Sequence, residues 1–208
     1  MNGNHVLIAL LLLGGCAEPA RDAPAAERGG LEPAVPTAAD SARAIEEGGA
    51  VATAVAQGLA QRLQARLRAD GAAGAVDFCA RTALALTDSL LAAHPQASAV
   101  RRTASRIRNP QNAPDEHERA ALAWFDSVRA ATGALPAAHV QAVGADEIRF
   151  YRPLVIAAFC TECHGAPGLM DPEVVRIIAA RYPVDQATGY REGDMRGVIR
   201  VSLPRTGR

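Results

Sequence analysis

The 208-residue chain predicts an α+β fold. Three observations point there: Ala-rich helical stretches come first, strand-like segments come later, and βαβ units are few. Asp40 or Ser41 can cap a long helix reaching about Arg68. Gly71 and Gly74 interrupt it. A second helix runs from about Ala75 to Ala93 and stops before Pro95. Its apolar stripe is Val76, Cys79, Ala83, Leu86 and Leu90, at helical steps. The stretch SAVRRTASRIRNP is expected to be extended, because a residue before proline is pushed away from helix. A third helix begins around Asn112 to Asp115, carries Leu122, Phe125 and Val128 on one face, and ends at Gly133. HVQAV, EIRFY and GVIRVSLP read as strands, the last with Ile199, Val201 and Leu203 on one face. YREGDMRG is expected to be a hairpin turn entering the last strand. No internal repeat is present.

Composition bounds the function. A hydrophobic share of 49% and a charged share of 21% are those of a globular domain. All 22 basic residues are Arg, balanced by 22 acidic ones. A net charge of zero speaks against a broad nucleic-acid surface.

Val6 to Leu13 is an apolar run too short to span a bilayer as a helix, yet long enough for a signal-peptide core. LGGC follows, ending at Cys16, and resembles a bacterial lipobox. The resemblance implies cleavage before Cys16 and lipid attachment to that residue. Ala17 rather than Asp comes next, which implies an outer-membrane anchor facing the periplasm. Only the amine and His5, with no Arg or Lys, precede the run. The other reading is an ordinary secretory signal with an incidental Cys; either way the mature chain is exported. Residues 1–15 are thus a signal peptide. Residues 16–37, rich in Pro, Ala and Gly, are a lipidated Cys and flexible tether. The domain occupies 38–208.

AAFCTECHGAP, Ala157 to Pro167, carries the chemistry. With Cys16 lipidated, Cys79, Cys160 and Cys163 remain, and three thiols cannot pair off. Zinc would want a second cluster, and His94, His117 and His139 are isolated in the sequence. A thioredoxin-like site would open a helix, whereas Gly165, Pro167 and Gly168 break one here. C-x-x-C-H in an exported chain reads best as c-type haem attachment. Cys160 and Cys163, one helical turn apart, can reach the two vinyl groups of one haem. His164 then offers an imidazole to the iron.

RIRNPQNAPDEHERAALAWF, YRPLVIAAFCTECHG and YPVDQATGYREGDMRGVIRVSLP follow one another in that order, after a helix carrying AVDFCA. Together they resemble a bacterial family of single-haem c-type proteins with a PAS-like domain, whose structural type member is cyanobacterial. The resemblance covers about Ala38 to Pro204. It implies a PAS-like antiparallel sheet flanked by long N-terminal helices, one covalent haem c, and His/Cys iron ligation. His164 would be the proximal ligand and Cys79 the distal one. Taken alone, Cys79 also suits a small buried hydrophobe on its helix stripe. Met170 and Met195 are rival sixth ligands, ahead of His94, His117 and His139.

Arg106 and Arg108 straddle Ile107 in the expected extended stretch, so they share a face. They suit haem propionates, helped by Tyr151 and Arg152, or else form a solvated strand face. Asn109 and Asn112 are expected to shape a turn and cap the third helix.

Two roles follow. One is a redox or gas-sensing module for NO, CO or O2. Its sequence shows no kinase or cyclase segment, so sensing implies a separate signalling partner. The other is a periplasmic single-haem electron-transfer protein with a redox partner. Enzymatic turnover is not expected, since no distal His–Arg pair of the peroxidase kind is recognisable.

Overall fold

The computed structural model describes residues 35–205. The expected signal peptide, Cys16 and all but the last of the tether lie outside the described residues. The first helix, α1 (Ala38–Arg43), is capped at Thr37 rather than at Asp40 or Ser41. Asp40 instead completes a reciprocal box with Thr37, each side chain accepting from the other's backbone N–H. A π-helical stretch (Ala44–Gly48) leads into α2 (Gly49–Ala92).

α2 is two arms. At Gly71 the backbone turns to φ 67°, ψ −178°, a conformation that glycine adopts without strain. Gly74, expected to break the helix, stays helical. The arms 49–70 and 72–92 fold back on each other. A side chain at Gly58 would meet Leu90 at 3.0 Å, so a bare glycine lets the arms close.

β1 (Ala99–Thr103), β2 (His139–Val143), β3 (Glu147–Val155) and β4 (Met195–Pro204) form an antiparallel sheet in the order β1-β4-β3-β2. The fold is α+β, with a long N-terminal helix beside a four-stranded antiparallel sheet. Alternation decides which side chain goes where. Val100, Ile148, Phe150, Ile199, Val201 and Leu203 face α2, packed on Val51, Ala52 and Val55. The opposite face takes α3 (Glu116–Thr132), whose Leu122 and Phe125 meet Tyr151 and Val198. α3 is capped by Asp115, not by Asn109 or Asn112, and is closed by left-handed Gly133, as expected.

The extended expectation for 98–110 holds only through Thr103. Residues 104–109 are loop, so Arg106 and Arg108 share no strand face. Asn109 caps the short turn Pro110–Asn112, not α3. YREGDMRG is no hairpin turn: β4 pairs with β1 and β3, and no strand precedes it there. Two further helices are short: α4 (Thr161–His164) and α5 (Pro172–Arg181). The sequence reading holds no counterpart of α5, although Asp171 caps it and Pro172 opens it.

Between α3 and the sheet lies a buried ionic layer. Glu118, fully buried, accepts from Arg200 Nε at 3.0 Å. Arg149 bridges Asp115 and Glu147 at 2.7 and 2.9 Å. These charges are satisfied only as a set. Glu118→Ala strands Arg200 and deletes the cap contact to Asp115. The expected loss is about 3–5 kcal/mol in urea unfolding. A loss under about 1 kcal/mol would mean that Glu147, 3.5 Å from Arg200, replaces it.

Candidate functional site

A cavity of about 300 Å³ opens where both arms of α2, the loop after β1, the end of β3 and α4 meet. That is the low end of the size range for a small-molecule site. Leu63, Leu67, Val76, Leu154 and Ile156 give it an apolar wall. Cys79, Cys160, Cys163 and His164 all line it.

His164 is held by its backbone and its ring. α4 lasts one turn, because Gly165 goes extended there and a side chain on it would meet the Thr161 carbonyl at 2.5 Å. The freed chain then zips against the segment before β4. Tyr190 N–H donates to the His164 carbonyl at 2.9 Å, and Gly189 N–H to the Gly165 carbonyl at 2.7 Å. His164 Nδ1 lies 2.7 Å from the Ala187 carbonyl. A carbonyl only accepts, so Nδ1 carries the proton and Nε2 keeps its lone pair. Burial, then the charges of Arg108 and Arg196, push the imidazole down to about 3. The ring is therefore neutral at physiological pH, the form that binds a metal.

Cys160 ends a short 3-10 turn and Cys163 sits in α4. Burial pushes the Cys163 thiol up to about 11 and raises Cys160 as well. Cys79 comes from the second arm of α2. Val76, one turn before it, packs on Val174 and Ile178 of α5 and fixes that arm over the cavity. Cys79 is exposed, and the cavity is what it lines; the protein mass around it still raises its thiol, opposed by Arg102 and Arg108. All three cysteines are free thiols.

Arg108 ties these pieces together. It pairs with Asp185 at 3.0 Å and donates to the carbonyls of Cys163 at 2.6 Å and Ala187 at 3.2 Å. Asp185 also accepts from Ala187 N–H at 2.8 Å.

The structure thus brings Cys79, Arg108, Cys160, Cys163 and His164 to one cavity, and not Arg106 or Tyr151. Arg106 donates to the carbonyls of Gln186 and Thr188 and lies over the Tyr190 ring at 4.3 Å. Tyr151 is fully buried in the α3 layer, its hydroxyl on Gln141 at 2.9 Å. Odd and even positions of β3 face opposite ways, and Tyr151 took the α3 side. Arg152 donates to Thr53. Met170 is buried against Val174 and Ile178, and Met195 packs near Tyr151. Neither is part of the cavity wall. His139 stacks on Trp124 at 4.2 Å between ring centroids. Sequence reading passed over Arg102, Arg196, Asp185 and the Ala187 carbonyl. Alternation along β1 from Val100 would have placed Arg102 on the cavity side; nothing local marks the others.

Among the described residues, no three His, Cys, Asp or Glu side chains converge to hold a bare metal ion. The donors stand around the cavity instead, as suits a larger ligand that carries its own metal.

The profile of the Tll0287-like family matches residues 34–204. The chain belongs to the Tll0287-like family. The crystal structure of the cyanobacterial heme-protein Tll0287 is similar, at 28% identity and a TM-score of 0.53. The similarity covers 78% of this chain and 98% of that one. None of the curated proteins is significantly similar.

Proposed function

We propose that this member of the Tll0287-like family is an exported haem protein that senses redox state or a diatomic gas. Cys160 and Cys163 would tether a c-type haem covalently, and His164 and Cys79 would hold its iron. One observation carries the reading. The C-x-x-C-H turn and Cys79, more than eighty residues apart in sequence, line the same cavity, and His164 turns a bare Nε2 to the task. The similar cyanobacterial protein is itself a heme-protein, which supports it. Haem supplies an iron that changes oxidation state and binds small gases. The chain does the rest. One helical turn spaces the two thiols, Ala187 orients the imidazole, and the apolar wall excludes water.

Cys79 favours sensing. Its exposed thiol sits on an arm distinct from the tether, so it can leave without releasing the ligand. A second reading, electron transfer, has its own observation. Leu84 and Val155 line the cavity and are 36% and 50% exposed, an apolar rim against which a redox partner could dock. Export and lipidation at Cys16 complete the proposal and rest on the apolar run and LGGC.

Protein matured with a cytochrome c assembly system should hold haem through denaturation into acidified organic solvent. Cys160→Ala with Cys163→Ala should release it; release from the wild type refutes covalent attachment. Cys79→Ala should keep the haem, turn a low-spin ferric spectrum high-spin, and raise the reduction potential, because a thiolate stabilises ferric iron. Met170→Leu and Met195→Leu should leave that spectrum unchanged. Reduced wild type that binds CO supports sensing; a reduced spectrum indifferent to CO favours the electron carrier. In cells, labelled fatty acid should be incorporated into the wild type and lost in Cys16→Ala.

A further inference from the structure

The cavity wall carries three arginines, Arg102, Arg108 and Arg196, and no acidic residue. Arg108 is answered by Asp185. Among the described residues, the other two have no carboxylate partner. The Arg102 Nε is buried with no hydrogen-bond acceptor at all. Arg196 has neutral company: NH1 donates to the Arg106 carbonyl at 2.8 Å, and the guanidinium lies over Tyr190 at 5.5 Å. Both side chains are half-buried, and a partly desolvated cation without a counter-charge is strained in a way that an anionic ligand relieves.

Two uncompensated guanidiniums in one acid-free cavity define the ligand's charge. It should bring two negative groups, and planar forked donors fit carboxylates best. Haem has two propionates. We propose that Arg102 and Arg196 anchor the two haem propionates, an assignment that rests on the haem reading above. Their placement supports it. Arg102 lies in β1 opposite Ile199, and Arg196 lies three residues before Ile199 at the start of the neighbouring β4. Both therefore line the cavity from adjacent strands. Arg102 shares the α2 side of the sheet with Val100, while Arg101 on the opposite side is engaged by Glu118. Burial weakens the hold of both guanidiniums on their protons, the direction expected where a counter-ion is missing.

Resonance Raman spectra of the ferric holoprotein test this through the propionate-bending band, whose position reports hydrogen bonding to the carboxylates. Haem mass on the denatured chain is read in parallel. The band is expected in its hydrogen-bonded position in wild type and displaced in Arg102→Met and Arg196→Met, with haem mass unchanged. Arg102→Lys, which keeps a cation and protects folding, should displace it less than Arg102→Met. A band that stays put in both Met variants overturns the proposal. So does a change confined to Cys79-dependent absorption, which would put Arg102 on the sulfur instead. Wild-type protein without haem mass overturns this assignment and its parent reading together, and the mass alone identifies that case.

Discussion

The clasp between Arg108 and Asp185 is the interaction on which the site depends. Both side chains are nearly buried, at 12% and 8% exposure, so their attraction is little screened. The pair brings three separate segments to one point: the loop after β1, the end of α4, and the chain before β4. Its reach includes the Ala187 carbonyl from both sides. Arg108 donates to that carbonyl, and Asp185 holds the same residue's N–H. His164 hangs its ring on it. The orientation of the imidazole is thus set two bonds away from the ring, as outer partners commonly set metal-ligating histidines.

The rest of the fold brings Cys79 into the same cavity wall as that ring. The sheet is covered on both faces, by α2 and by α3, and from Val198 to Leu203 each β4 residue is committed by parity. Ile199, Val201 and Leu203 enter the apolar layer; Arg200 and Ser202 enter the ionic one. Such a sheet has one register, because a slip of one residue would push Arg200 into the apolar layer. Arg196 and Gly197, near the start of β4, also lie in the cavity wall. Gly197 lies so close to β1 that a side chain there would meet the Thr103 carbonyl at 2.3 Å. Position and register of the site are therefore inherited from the sheet.

Much of this was legible in the residues. HVQAV is β2 end to end, and the third helix starts within a residue of the expected stretch and stops at Gly133. Local signals of this kind need no knowledge of the rest of the chain. C-x-x-C-H is also local, and so was visible at once. Contacts between distant segments were not. Arg108 meets Asp185 across 77 residues, and Arg106 is diverted to carbonyls some 80 residues on. The pairing of Arg106 with Arg108 failed because it assumed a strand that ends at Thr103. Tyr151 failed for another reason. Both faces of β3 are buried, so burial alone could not say which face borders the cavity.

The unbalanced charge of the cavity wall bears on how the protein is made. A chain that folds with its cavity empty must hold two half-buried guanidiniums with no carboxylate opposite them. A chain that folds around a dianion does not. Whatever binds only the folded form stabilises it. Folding of the cavity wall and capture of an anionic ligand would then be coupled. A copy that stays empty would carry that unmatched charge as a loss of stability, and would unfold and be cleaved more readily than a filled one.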